Sequence, residues 1–285
     1  MQKILLIIPL ILFIDTYGQN LKVAENYMDQ GEVEKAKAVY EKLYERQPHS
    51  SKIAVGLAKV QLELEEYSSA KKTLQSYLQR HDQPAVMVTL GHVLTVEGKN
   101  EKAEEWYDKA IQLIDENPFY AFSIGRKLEE YGNLDKAIKA YQKGNKVRPS
   151  VNFRVKLARI YGEKGNLKEM FDNYIDIIIE RENYYNVIKR NFDAYIEQDP
   201  QNKANQVFRR SLIKKIQQRP QVVLNKMLSW LYIQEKQYIK AFAQQKAVVM
   251  RSDESERSIL NIAGIAEGEG FMQDARTIYQ KMING

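Results

Sequence analysis

Along most of the chain, apolar residues recur every three or four positions, as in Leu57, Val60 and Leu64, or Leu74, Tyr77 and Leu78. That spacing places them on one face of a helix. No segment shows the strict apolar–polar alternation of a half-buried strand, so the pattern predicts an all-α chain. Small and turn-forming residues interrupt the apolar stripes at regular intervals. Gly31 is followed by Ala36, Tyr40 and Pro48, and Gly132 by Ala137, Tyr141 and Pro149 at the same offsets. Gly98, Ala103 and Tyr107 keep this spacing, as do Gly270, Ala275 and Tyr279, while Gly165, Met170 and Tyr174 keep it with a larger central residue. Three weaker copies fill the gaps: Glu65/Ala70/Leu74, Asp199/Ala204/Phe208 and Lys236/Ala241/Gln245. The central position therefore falls at 36, 70, 103, 137, 170, 204, 241 and 275, a period of 33 or 34 residues with one step of 37.

Each offset has a physical reason. A glycine can end the first helix of a hairpin in the left-handed conformation, where a side chain is strained. Five residues later, alanine marks where the second helix presses against the first. A tyrosine one turn further lies on the same face and fills the space between neighbouring hairpins. Proline after the second helix cannot continue it.

This pattern resembles the tetratricopeptide repeat family over roughly residues 17 to 285, as about eight copies. The resemblance implies a right-handed superhelical solenoid of helix-turn-helix units. Residues 19–182 keep the pattern best, 183–254 are degenerate, and 255–285 form a terminal copy. The sixth copy has Asp199-Pro200 at its turn and the seventh lacks both glycine and aromatic, so a distorted or longer pair is expected between Tyr184 and Pro220. The last copy stops at Ile283-Asn284-Gly285 without a polar capping helix, which implies that a partner covers it or that the chain continues.

The first residues differ from the rest. Lys3 precedes an apolar run from Ile4 to Ile14, interrupted only by Pro9. Its 11 residues fall short of the roughly 20 that span a bilayer as a helix. Thr16 and Gly18 supply the small residues read before a cut. The segment 1–18 reads as a cleaved secretory signal, with an uncleaved anchor as the alternative, so a periplasmic or secreted protein is expected. The absence of cysteine excludes disulfides, thiolate metal sites, cysteine nucleophiles and a lipidated N-terminal cysteine.

Candidate chemistry lies in the groove that the family resemblance implies for the first helix of each pair. One row there reads Val55, Val88, Phe122 and Val155, beside a second row of Lys59, His92, Arg126 and Arg159. Such rails suit an extended protein or peptide partner with apolar and acidic residues. Ordinary packing and a solvated basic face remain the alternative. Trp230 is a further candidate anchor in the groove. A second basic patch comprises Arg209, Arg210, Lys214 and Lys215, within a stretch from Arg181 to Pro220 that carries nine Lys or Arg against four Asp or Glu. It suits an acidic partner or simply a solvated helix face. The chain as a whole has 43 Lys and Arg against 37 Asp and Glu, a net charge of +6. That mild excess does not demand nucleic acid, and none is expected as a partner, although helical-repeat RNA readers share a similar period.

Enzyme signatures are missing from the sequence. It holds no Gly-x-Ser-x-Gly elbow and no phosphate-cradling glycine loop. The three histidines, His49, His81 and His92, show no metal-ligand spacing, so neither a zinc site nor a cofactor is expected. The reading is a non-catalytic interaction scaffold, engaged in envelope assembly or recruitment. The alternative is the recognition arm of a longer protein.

Overall fold

A computed structural model describes residues 20–284. The signal segment therefore lies outside the described residues. The first helix, α1, occupies residues 20–29. It is followed by α2 (Val33–Arg46), α3 (Ser51–Glu63), α4 (Tyr67–Leu78), α5 (Pro84–Val96), α6 (Asn100–Gln112), α7 (Tyr120–Glu130) and α8 (Leu134–Val147). Next come α9 (Val151–Glu163), α10 (Leu167–Glu180), a 3₁₀ turn (Glu182–Tyr184), α11 (Tyr185–Phe192), α12 (Lys203–Gln218), α13 (Val222–Gln234), α14 (Tyr238–Val249), α15 (Arg257–Gly268) and α16 (Met272–Ile283). No strand occurs among the described residues, so the fold is all-α, a helical-repeat solenoid. Two compact units divide the chain, Met1–Arg148 and Pro149–Gly285. In each unit, successive helices pack as antiparallel hairpins, with α5 on α6 and α7 on α8 in the first and α9 on α10 and α13 on α14 in the second.

The turn inside each hairpin is built the same way. Gly31, Gly98, Gly132, Gly165 and Gly270 all adopt positive φ, between 71° and 87°. Glu65 and Lys236 take the same position without glycine, at φ 59° and 56°. The residue after each donates its backbone N–H to the carbonyl five positions earlier. Examples are Glu32 to Tyr27 at 2.8 Å, Glu66 to Gln61 at 2.7 Å, Asn133 to Leu128 at 2.9 Å and Gln237 to Tyr232 at 2.8 Å. This six-to-one bond closes the helix end and aims the chain back along its partner. The degenerate seventh copy thus keeps the turn geometry even though it has lost the glycine.

Above the turn, two small residues let the helices approach. On the second helix, Ala36, Ala70, Ala103, Ala137 and Ala241 are buried. Twelve residues earlier, on the first helix, stand Ala24, Ala58, Gly91, Gly125, Ala158, Ser229 and Ala263. The approach is close: a Cβ added to Gly91 would sit 2.6 Å from the Tyr107 ring, and one on Gly125 only 2.4 Å from Tyr141. These two tyrosines therefore press on the first helix of their own hairpin. Tyr40 reaches Gly56 on the first helix of the next one.

The sixth pair departs from this plan because Phe192 occupies the small position of its first helix. A phenyl ring there excludes close approach of a second helix. Instead the fully buried Phe192 nucleates an aromatic cluster, with ring centroids 5.3 Å from Phe171, 4.6 Å from Phe208 and 6.4 Å from Trp230. Helix α11 stops at 8 residues and is held by α10 and the 3₁₀ turn. Helix α12 extends to 16 residues and packs on α10 and α13. The distortion sits inside the span from Tyr184 to Pro220.

Candidate partner-binding site

In the first unit, the first helices line a cavity of about 560 Å³. Glu25 comes from α1, Lys52, Val55, Gly56 and Lys59 from α3, Ala85 and Val86 from α5, and Arg126 and Lys127 from α7. The repeat thus gathers Val55, Lys59 and Arg126 at one surface. Lys59 is engaged already, since its ammonium pairs with Glu130, which also accepts from Lys127 at 2.6 Å. Burial works to raise the Glu130 carboxyl, but the two lysines together hold it below its ordinary range. Glu25 pairs with Lys52 at 2.9 Å. Arg126 is exposed, lines the cavity and has no ion-pair partner among the described residues. Tyr40 closes one wall as a neutral phenol, its pKa pushed up to about 12 by burial, with Glu25 and Asp29 adding to the effect.

Other groove candidates of this unit take different roles. Val88 is completely buried and cannot touch a partner, because α5 is apolar nearly all round and packs on α4, α6 and α7. Phe122 is half-buried, with its ring 6.4 Å from that of Tyr141. His92 stacks face to face on Tyr131, centroids 3.9 Å apart at 4°, and Tyr131 in turn donates to Thr89 at 3.2 Å. Burial lowers the His92 pKa, opposed by nearby Glu130 and aided by Lys59. Burial against Tyr131 thus works against a charged imidazolium at this position. The basic rail of the sequence reading is therefore an ion cluster with one unpaired guanidinium, Arg126.

Val155 and Arg159 belong to the second unit and are exposed on α9. Arg159 pairs with Glu163 one turn along. Trp230 lines a second cavity, about 550 Å³, with Lys189, Lys226 and Glu254. Its indole is only 7% exposed, so it serves as wall more than as protruding anchor. The Lys189 ammonium lies 5.7 Å from its ring centre, a cation–π contact. Lys226 bridges Glu254 at 2.8 Å and Glu182 at 3.6 Å.

The basic patch does not form one free surface. Arg209 lies at the base of α12, donating to Glu235 at 2.5 Å and to the Pro200 carbonyl at 2.9 Å. Glu235 is wholly buried and also accepts from Asn205 at 3.1 Å. This network ties the irregular turn before α12 to the end of α13. Lys215 pairs with Asp176 on α10. Arg210 and Lys214 remain exposed, with Arg210 donating only to the Gln206 carbonyl at 3.2 Å. Two of the four cations thus hold helices together, through partners 26 and 39 residues away that charge counting along the chain cannot reveal.

Comparison with known proteins adds a second line of observation. Two family models, each described as tetratricopeptide repeat, match residues 27–87 and 84–117. Protein O-mannosyl-transferase TMTC1 of Homo sapiens is 24% identical over 205 residues, which cover 69% of this chain and 22% of that protein. The chain thus matches about a fifth of the length of this curated relative. Among solved structures, the chain is similar to TTC0263, a thermophilic TPR protein of Thermus thermophilus. That likeness has 16% identity, coverage of 62% of this chain and 97% of the other, and a TM-score of 0.37. A tetratricopeptide repeat protein of Parabacteroides merdae is also 16% identical, with 89% and 99% covered and a TM-score of 0.35.

The Arg209–Glu235 pair yields a contrast between neighbours. Arg209→Ala leaves a buried carboxylate without its cation and is expected to destabilise the second unit by about 3 kcal/mol. Arg210→Ala should stay within about 0.5 kcal/mol of the wild type. Urea unfolding of both variants checks this, and equal effects would contradict it.

Proposed function

The chain belongs to the tetratricopeptide-repeat family, and from that premise we propose that it is a non-catalytic scaffold holding a partner protein segment in the groove of its first unit. Repeats of this family generally mediate protein–protein interaction. The observation that carries the finer reading is Arg126, an unpaired guanidinium on the wall of an open cavity of about 560 Å³. A partner carboxylate there gains a charge-assisted hydrogen bond, and bidentate geometry favours arginine for this role. Val55, Gly56 and Ala85 line the same cavity and offer apolar contact to the next residue of an extended segment. Lys59, Lys127 and Glu130 form a neighbouring reserve, from which a second acidic side chain could draw a lysine. The occupant we infer is an acidic and apolar peptide segment. Export to the periplasm or beyond, with a role in assembling envelope components, is the setting we propose, on the strength of Lys3, the run Ile4–Ile14 and Gly18.

Selection of random peptides against the immobilised chain tests the groove. Sequences that pair Asp or Glu with an aliphatic residue should be enriched, and Arg126→Glu should weaken them at least about tenfold with helicity intact. Enrichment that survives Arg126→Glu would overturn the reading. For the setting, the intact mass of protein recovered from the producing cells should correspond to a chain beginning at Gln19. A mass retaining residues 1–18 would contradict cleavage.

A further inference from the structure

His49 and His81 lie 32 residues apart, in the turns between α2 and α3 and between α4 and α5. The repeat brings them side by side on one edge of the first unit, with His49 Nδ1 3.1 Å from His81 Nε2. The rings meet edge to face, centroids 5.3 Å apart at 84°. His81 is braced from behind by Tyr77, whose ring centre is 4.7 Å away and whose hydroxyl donates to Gln83 at 2.6 Å. His49 is exposed and His81 half-buried, so the contact is open to solvent.

Two imidazole nitrogens this close need something positive between them. In the neutral pair it is one proton, donated by one ring and accepted by the other. A metal ion satisfies the same geometry. Two nitrogens bound at about 2.0–2.1 Å to one tetrahedral zinc ion stand about 3.3 Å apart, close to the separation found here. Perpendicular rings also avoid each other around a single ion. We propose that His49 and His81 form a two-histidine site for a divalent transition-metal ion of imidazole preference, such as zinc, which staples the two turns together. On binding, His49 carries its proton on Nε2 and His81 on Nδ1, so both facing nitrogens present lone pairs and the neutral pair loses no net proton. Among the described residues no group of three or more His, Cys, Asp or Glu is gathered to hold an ion. Water therefore completes the coordination, and hard cations such as magnesium, which require oxygen ligands, are not held.

The test uses the full chain without a histidine tag, titrated with zinc chloride by calorimetry and followed by NMR of the histidine rings. One zinc per chain is expected, with ring shifts at His49 and His81, none at His92, and a higher Tm in zinc than in magnesium. His49→Ala and His81→Ala, both at surface turns, should each weaken zinc at least about tenfold while circular dichroism stays unchanged. No binding at submillimolar zinc, or affinity within about twofold of the wild type in either variant, would overturn the proposal.

Discussion

A helix of twelve to fourteen residues is marginal alone and gains its stability by burying one face against a partner. In this protein the partner is set by a single close approach, repeated along the chain, between a small residue on the first helix and a small residue twelve positions later on the second. Ala24 with Ala36, Gly91 with Ala103 and Gly125 with Ala137 are such pairs, all buried. The positive-φ residue between them turns the chain through the angle that makes the approach possible. Where Phe192 takes the small position, the pair opens, an aromatic cluster fills the space, and a buried Asn205–Glu235–Arg209 network takes over the fastening.

The same stacking decides the electrostatics. Residues about one period apart meet at hairpin junctions, and cations there find carboxylates on the neighbouring repeat. Lys37 pairs with Glu66, Lys71 with Glu97, and Lys136 with both Glu104 and Asp108. Lys136 is buried, which works to lower its pKa, yet the two carboxylates outweigh that and raise it. Lys59 and Glu130 span two periods. A charge that counts as basic along the sequence is therefore often neutralised in space. In the first unit, Arg126 lines the groove without an ion-pair partner, and the rings of His49 and His81 meet at the edge.

This pairing across repeats decides what could and could not be read from the chain. The helices, the turn positions and the odd sixth pair were legible because each rests on local residue type: a glycine where φ is positive, an alanine where helices touch, Asp199-Pro200 where the pattern fails. Val88 and Val155 look alike in sequence, yet one is buried and the other 38% exposed, because their helices differ in how many neighbours cover them. The fates of Lys59 and Arg209 depend on partners 71 and 26 residues away. The histidine pair escaped any local motif for the same reason: the repeat period, not adjacent spacing, puts the two rings together.

The close approach of small residues is the claim on which the rest depends, and Ala137→Leu tests it most directly. Hydrogen exchange of this variant should show lost amide protection through α7 and α8, since a larger side chain at a buried position of α8 forces the helices apart. Ala38→Leu, at an exposed position of α2, should leave protection unchanged. Full protection of α7 and α8 in Ala137→Leu would contradict the account.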